Sequence, residues 1–120
     1  MEYIFDNERP IYLQLVEILK LEILSGKLKK GERIPSVREL ALKMKVNPNT
    51  MQRALAELEN EKLIYTERTN GKYVTKDEKL IEEIKKILAK EKAKSYIKSM
   101  EDIGIKSKEA IKYLQELGGK

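Results

Sequence analysis

The chain has 120 residues, of which 38% are charged and 6% aromatic, so it is long enough for one small domain with an appendage. It contains neither cysteine nor histidine, which excludes disulfides, thiol chemistry and metal sites built from thiolates or imidazoles. No apolar run could span a bilayer and no secretion signal is visible, so we expect a cytoplasmic protein without a membrane partner.

Positive charge is concentrated in one stretch of the chain. The net charge is +5, yet the window Lys27–Arg53 alone carries +6, because it holds eight basic and two acidic residues. A phosphate-binding surface requires such a concentration of charge. The lysines at positions 85–86 and 90–94 are better explained by solubility alone.

The first two helices are predicted from periodicity and from their ends. Pro10 opens a run in which apolar residues recur at three and four positions, and Gly26 lies where such a helix would end. Ser36 and Glu39 have the spacing of a capping box, in which each side chain accepts from the other residue's backbone N–H. A second, short helix is therefore predicted over about Val37–Met44.

A tight turn joins the second helix to a third. Lys45 and Val46 are followed by Asn47, a favourable helix N-cap, and by Pro48, whose missing N–H costs nothing at the first helical position. Two helices joined by so short a segment must cross steeply, which predicts a helix-turn-helix.

The third helix is predicted to run to about Glu61 and to have two unlike faces. The apolar face comprises Met51, Ala54, Leu55 and Leu58. The opposite face has no acid at its centre and presents Asn49, Gln52 and Arg53, whose side chains can pair with adenine or guanine in a major groove. An ordinary solvated face is the alternative, and the surrounding turn and basic residues disfavour it.

Two short strands are predicted next, Leu63–Glu67 and Lys72–Thr75, with an Asn70-Gly71 turn signal between them. Three helices followed by a hairpin form a winged helix-turn-helix, whose wing tip is residues 68–72. The sequence thus predicts a mainly α fold with a small β-hairpin, and it assigns residues 1–75 to a DNA-binding domain.

Residues 76–120 are predicted to form two helices that serve dimerisation. Thr75–Glu78 has the spacing of a capping box that opens a long helix, Gly104 ends that helix, and Ser107 caps the last one. Two amphipathic helices with so little core require a partner, and a second copy of the chain is the simplest one. Packing back onto the chain's own first helix is the alternative. The predicted dimerisation residues are Ile84, Ile87, Leu88, Tyr96, Ile97, Met100, Ile111 and Leu114.

The polar and basic residues divide into three predicted roles in binding double-stranded DNA. Base readout is assigned to Asn49, Gln52 and Arg53. Phosphate contacts, which fix register without reading sequence, are assigned to Arg38, Lys43, Lys45, Asn47 and Thr50. Wing contacts to the flanking groove are assigned to Arg68, Asn70, Gly71 and Lys72. An ion pair with Glu39 or Glu32 is the competing role for Arg38.

The order and spacing of these motifs resemble those of bacterial GntR-type transcriptional regulators over Pro10–Val74, in the form typical of the YtrA subfamily. The matching segments are Tyr12-Leu13-Gln14, Gly31–Ala41, Asn47-Pro48-Asn49-Thr50, Arg53-Ala54 and Glu57-Leu58-Glu59. The resemblance implies a homodimeric repressor on a palindromic operator, often of its own operon or of an ABC-transporter operon. It implies DNA contacts at Arg38, Asn47, Asn49, Thr50, Arg53 and Gly71. In the wing the chain departs from the family pattern, because Thr69 stands where the family usually has glycine.

Two other classes of function remain as alternatives. An active site without histidine or cysteine would need converging carboxylates, lysines or serines, and the sequence shows no such pattern and no phosphate-binding glycine loop. We therefore predict no enzymatic activity, no cofactor and no metal. A winged helix can also contact protein or RNA without binding an operator. No small-molecule effector is identified, although Tyr96, Met100 and Tyr113 could line a crevice for one if they do not form dimer core.

Overall fold

The computed structural model describes residues 5–118, in which five helices and one two-stranded antiparallel sheet follow one another along the chain. The elements are α1 (Ile11–Leu24), α2 (Val37–Met44), α3 (Pro48–Asn60), β1 (Ile64–Glu67), β2 (Gly71–Val74), α4 (Glu78–Asp102) and α5 (Ser107–Gly118). The predicted fold class, mainly α with a small β-hairpin, is confirmed. The chain forms two compact units that divide between Ile81 and Glu82. The assignment of residues 1–75 to DNA binding and 76–120 to dimerisation stays a prediction.

The first unit is a three-helix body in which α1 and α2 both pack on α3. Its core is aliphatic, and the largest fully buried side chains are Leu15, Met51, Leu55, Leu58, Leu63, Ile64 and Val74. Burial of one such side chain contributes about 1.5–3 kcal/mol, and α3 supplies more of them than any other element. The inner face of α3 is therefore held firmly, which fixes the direction of its outer face.

A buried glutamine fixes the segment before α1. Gln14 is 5% exposed, and its side-chain oxygen accepts from the Asp6 N–H at 2.7 Å. Its side-chain nitrogen donates to the Asp6 carbonyl at 2.7 Å and to the Arg9 carbonyl at 2.9 Å. An unpaired amide at this depth would cost about 1–3 kcal/mol, so these bonds hold the preceding segment against the helix. Gln14 of the Tyr12-Leu13-Gln14 motif is thus a structural residue.

The two ends of α2 determine the turn that leads into α3. Ser36 Oγ accepts from the Glu39 N–H at 3.1 Å and Glu39 Oε1 accepts from the Ser36 N–H at 3.1 Å, which confirms the capping box. The hydrogen bond from the Ser36 backbone, followed by that with its hydroxyl, lowers the pKa of the Glu39 carboxyl. At the other end Lys45 adopts a left-handed φ of 57°, a conformation for which glycine is the usual residue. The Val46 N–H then bonds to the Ala41 carbonyl at 3.0 Å, and the chain reverses direction.

The hairpin is closed by a three-residue connection, 68–70, between β1 and β2. The Asn70 N–H donates to the Glu67 carbonyl at 3.2 Å, and Gly71 pairs with Glu67 as the first residue of β2. Gly71 takes a φ of 106°, whereas Thr69 is not among the residues of positive φ. In the wing it is therefore Gly71, and not Thr69, that has a positive φ. The strand β2 begins one residue earlier than predicted.

In the second unit α4 and α5 leave most of their apolar side chains uncovered. Of the described residues 82–118, only Ala110 is fully buried. The exposed large apolar side chains there are Ile87, Ile103, Ile111, Tyr113, Leu114 and Leu117. The Tyr96 hydroxyl donates to the Ala110 carbonyl at 2.6 Å and so ties the two helices together. Although α4 has 25 residues, no helix within residues 5–118 is both long and apolar enough to cross a membrane.

Two predicted helix caps are wrong in this half of the chain. Asp77 caps α4, because its carboxylate accepts from a backbone N–H of the first turn at 3.1 Å. The hydroxyl of Thr75, the predicted cap, accepts from the Asp77 N–H at 3.1 Å and so belongs to the turn before the helix. Ser107 is the first residue of α5, and the Lys106 carbonyl accepts from the Ala110 N–H at 2.9 Å, so Lys106 holds the cap position.

Candidate nucleic-acid interface

The outer face of α3 is polar and exposed. The apolar residues point into the body and are buried: Met51, Ala54, Leu55 and Leu58. Asn49, Gln52 and Arg53 are exposed, and the small side chain of Ala56 is exposed beyond them. The periodicity of the helix therefore places the three predicted base-reading side chains together on the solvent side of the first unit.

The N-terminus of α3 is polar and exposed. Asn47 Oδ1 accepts from the Asn49 N–H at 2.7 Å, and Pro48 occupies the first helical position, as predicted. The side-chain oxygen of Asn47 is thus used within the chain, which leaves its NH₂ group to donate elsewhere. Thr50 is half-exposed. Phosphate is favoured at such a helix end by the helix dipole.

Three basic residues around this end of α3 have no acidic partner among the described residues. Arg38, Lys43 and Lys45 are exposed, and within the described range 5–118 none of them forms an ion pair. The competing role for Arg38 is not observed, since Glu39 accepts from Ser36 and Glu32 accepts from a backbone N–H at 2.8 Å. The charge of these three side chains is therefore not compensated inside the chain.

Arg53 lies over an aromatic ring. Its guanidinium carbon is 3.7 Å from the ring centroid of Tyr12, in the first turn of α1. A cation held over a tyrosine at an exposed site gains about 0.5–1 kcal/mol. The contact joins α1 to α3, and it gives a long and otherwise mobile side chain a defined position.

The wing contributes exposed polar residues, and Arg33 lies beside it. Arg68 and Asn70 are exposed at its tip. Arg33, in the segment before α2, pairs with Tyr73 in an isolated bridge beside β2. A Cβ at Gly71 would lie 3.1 Å from Arg33 Nε and 3.2 Å from its Nη2. Gly71 is therefore favoured by its positive φ, and a Cβ there would make the exposed Arg33 side chain shift by a few tenths of an ångström.

Lys72, predicted to contact DNA, is engaged inside the chain. Its Nζ lies 3.1 Å from Glu59 Oε1 and donates to Thr66 Oγ1 at 2.9 Å, and its side chain is only 19% exposed. The Thr66 hydroxyl is in turn 2.9 and 3.0 Å from the two carboxylate oxygens of Glu59. Glu59, near the end of α3, thus links that helix to both strands of the wing. Lys72 would have to leave Glu59 to reach a phosphate, and its role in DNA binding stays a prediction.

We expect Glu59→Gln to loosen the wing at neutral pH and to have no effect in acid. Burial raises the pKa of Glu59, but hydrogen bonds from Lys72 and Thr66 outweigh it and lower the pKa below its ordinary 4.5. A carboxyl whose pKa is lowered by folding stabilises the fold above its unfolded pKa, and this contribution is lost as the pH falls through the folded pKa. The melting temperature at pH 7 should fall by the equivalent of about 0.5–1 kcal/mol, and the two proteins should converge as the pH falls through the lowered pKa of Glu59.

Glu57→Gln is the matched control, because Glu57 lies on the same helix and forms no ion pair within residues 5–118. It should leave the melting temperature almost unchanged. An equal loss in both variants, or a loss for Glu59→Gln that persists in acid, would contradict a stabilising link between α3 and the wing.

Tyr12 and Arg33 belong to this surface although no sequence pattern assigns them to it. Tyr12 belongs to a helix predicted for its apolar face, and its contact with Arg53 depends on how α1 crosses α3. Arg33 belongs to the basic window, and it approaches Gly71 only because the segment before α2 pairs with β2. Both contacts join residues that are far apart in the sequence. The sequence therefore shows an aromatic and a basic residue at these positions but not the contacts that they make.

Comparisons with known proteins agree with this geometry. The gntR family of bacterial regulatory proteins matches residues 11–74. The HTH-type transcriptional repressor YtrA of Bacillus subtilis (strain 168) is 36% identical over 112 residues, which cover 92% of this chain and 86% of YtrA. The structure of a GntR family transcriptional regulator from Listeria monocytogenes is similar with a TM-score of 0.85 and 42% identity, over 93% of this chain and 98% of that one.

A DNA-bound structure is similar as well. The DNA-binding domain of AraR in complex with operator ORE1 has a TM-score of 0.54 and 26% identity, over 62% of this chain and 94% of that one. The family and these relatives are regulators of transcription and not enzymes. The resemblance found in the sequence motifs is thereby confirmed. This chain belongs to the GntR family of bacterial transcription regulators, which bind DNA.

Proposed function

We propose that the chain acts as a homodimeric repressor that binds a two-fold symmetric operator through the outer face of α3. The observation that carries this proposal is that face, which exposes Asn49, Gln52 and Arg53 beside basic residues that form no ion pair within residues 5–118. These three side chains read base edges in the major groove. The likeness of the first unit to a domain bound to an operator supports this use of the fold. Because the partner is chromosomal DNA, the protein works in the cytoplasm.

The second unit supports the homodimer. Of its described residues only Ala110 is fully buried, whereas Ile111 and Leu114 are 48% and 49% exposed on α5. A pair of helices that buries so little surface lacks the core for stability by itself, and the same surface on a second copy would cover it. The proposed interface residues are Ile84, Ile87, Leu88, Tyr96, Ile97, Met100, Ile111 and Leu114. Tyr96 contributes its ring, since its hydroxyl already donates to the Ala110 carbonyl.

A dimer presents two copies of α3, so the operator should contain two inverted half-sites about one helical turn, or a multiple of it, apart. The phosphates on either side of each half-site are held by Arg38, Lys43, Lys45, Asn47 and Thr50 and by the wing residues Arg68, Asn70, Gly71 and Lys72. Repression, and its target in the protein's own operon or an ABC-transporter operon, rest on the family resemblance.

Lys45 is the phosphate contact for which the backbone gives independent support. It occupies a left-handed conformation that costs a non-glycine residue on the order of 1 kcal/mol. Glycine would remove that cost, but it would also remove the exposed charge next to the N-terminus of α3. A side chain kept at a position of unfavourable φ suggests a function for that side chain, and here the function is phosphate binding.

We expect Lys45→Gly to make the protein slightly more stable and a weaker DNA binder. The free energy of unfolding should rise by up to about 1 kcal/mol, because glycine relieves the left-handed φ. Affinity for an operator duplex and for a scrambled duplex should fall together, and the slope of log Kd against log salt should lose about one unit. Melting curves and salt titrations measure both effects.

Lys62→Gly is the matched control. Lys62 is also exposed and left-handed, with a φ of 66°, but it follows the far end of α3, about 20 Å from Asn47 along the helix. It should gain stability in the same way and keep the wild-type salt slope. An unchanged slope for Lys45→Gly, or equal changes in both variants, would remove Lys45 from the phosphate-binding surface.

Selection of duplexes from a randomised library by the wild-type protein tests the proposed function. Enrichment of an inverted repeat, bound by two chains at moderate salt, is the expected result. Enrichment of no sequence, together with tighter binding to RNA or with no binding to nucleic acid at all, would favour the alternative of a winged helix that contacts RNA or protein.

A further inference from the structure

We propose that Tyr12 positions Arg53 for base reading, so that a residue of α1 sets part of the sequence specificity of α3. The inference rests on the function proposed above, in which Arg53 contacts a base edge. Its starting point is the contact between the two helices, in which the guanidinium carbon of Arg53 lies 3.7 Å from the ring centroid of Tyr12.

A guanidinium stacked on the Tyr12 ring would keep its edge available for DNA. At this separation a guanidinium nitrogen aimed straight at the ring would overlap it, which favours an arrangement in which the two planes face each other. The N–H donors of arginine lie in the plane of the guanidinium and point outward from such a stack. Bidentate donation to guanine uses the same in-plane edge. Stacking on Tyr12 and base reading by Arg53 are therefore compatible in one conformation.

The ring itself is anchored. Tyr12 is half-buried in the first turn of α1, and α1 packs on α3 through buried side chains that include Leu15. Gln14, two residues further on, is held by three hydrogen bonds to the preceding segment. The position of the ring relative to α3 is therefore set by the core, and the ring can serve as a fixed support for a long side chain.

An acidic competitor for Arg53 lies one turn along α3. Glu57 is four residues from Arg53, the spacing at which opposite charges on a helix pair with each other. No ion pair joins them in the part of the chain that the structure describes. Such a pair would occupy the in-plane donors that base reading needs. By holding the guanidinium over its ring, Tyr12 keeps these donors available.

Two substitutions separate the ring from the hydroxyl of Tyr12. Tyr12→Leu removes the aromatic face and keeps an apolar side chain, whereas Tyr12→Phe keeps the face and removes the hydroxyl. The measured quantity is the ratio of the Kd values for a scrambled duplex and for the duplex enriched by the wild-type protein. We expect Tyr12→Leu to lower this ratio about two- to five-fold, as the strength of a cation–π contact at an exposed site implies, and Tyr12→Phe to leave it at the wild-type value.

A double-mutant cycle with Arg53→Ala shows whether Tyr12 acts through Arg53. In the Arg53→Ala background, Tyr12→Leu should have no further effect on the ratio. A side chain with a merely structural role would lower the ratio by the same factor in both backgrounds. That result would overturn the inference, as would a Tyr12→Phe protein that loses as much as Tyr12→Leu, or a Tyr12→Leu protein that retains the wild-type ratio.

NMR of the protein without DNA tests the contact directly and does not depend on how well Tyr12→Leu folds. The side-chain protons of Arg53 should be shifted upfield by the Tyr12 ring in the wild type and in Tyr12→Phe. Ordinary shifts in the wild type would overturn the inference. If Arg53→Ala keeps the full preference for the enriched duplex, the proposed role of Arg53 in base reading fails, whereas failure of the inference about Tyr12 leaves the Arg53→Ala loss in place.

Discussion

Replacement of Leu114 by glutamate should convert the protein to monomers and weaken its binding to an inverted-repeat duplex about 100- to 10,000-fold. Leu114 is 49% exposed on the apolar face of α5, and in the proposed dimer this face is covered by a second copy. A carboxylate without a partner would then be buried, which strongly disfavours the interface. A monomer engages one half-site at a time and loses the gain in affinity that a linked second contact provides.

Sedimentation equilibrium and titration of the selected duplex measure these two effects. The wild type should have twice the 14.0 kDa mass of the chain, and Leu114→Glu should have the mass of one chain. Gln115→Glu places the same carboxylate on the polar face of α5 and should change neither result. A wild-type monomer would refute the homodimer. A Leu114→Glu protein that remains a dimer with full affinity would show that this face of α5 does not form the interface.

Arg53→Ala should remove about 1–3 kcal/mol of preference for the selected duplex over a scrambled one. Arg53 is exposed in the second turn of α3, and its donors form no ion pair within residues 5–118, so they are available to a guanine edge. Affinity for scrambled DNA should fall far less, because the other basic residues supply most of the phosphate attraction.

Arg53→Lys is the informative control for this prediction. It keeps the positive charge but lacks the planar fork that donates two parallel hydrogen bonds. Most of the preference should therefore be lost in Arg53→Lys, while binding to scrambled DNA stays at the wild-type level. Equal losses on both duplexes for Arg53→Ala would instead assign Arg53 to phosphate binding.

The sequence was sufficient where a few neighbouring residues decide the structure. The capping box of Ser36 and Glu39, the Asn47-Pro48 start of α3 and the buried stripe that includes Met51 and Leu58 all follow from local rules, and the structure confirms them. The same rules placed the polar face of α3 on the outside. For this reason the fold and the exposure of the polar face of α3 could be predicted from the sequence.

The sequence was insufficient where two neighbouring residues could take the same role, or where a partner comes from a distant part of the chain. Thr75 and Asp77 can both cap a helix, but the Thr75 hydroxyl accepts from the Asp77 N–H, and Asp77 caps α4. In the sequence, Lys72 cannot be distinguished from an exposed basic residue of a wing. In the structure, the packing of α3 places Glu59 beside it. Its engagement by a carboxylate thirteen residues away depends on tertiary geometry, which no periodicity encodes.

The bond between Glu59 and the two wing strands has a consequence for the entropy of binding. A two-stranded hairpin alone is marginally stable in water, and a wing that is ordered only on contact with DNA would lose conformational freedom at that moment. Because Glu59 joins Lys72 and Thr66 in the chain itself, that freedom is already lost when the protein folds. The wing and α3 then approach a duplex as one rigid body, and less of the contact free energy is consumed in ordering the protein.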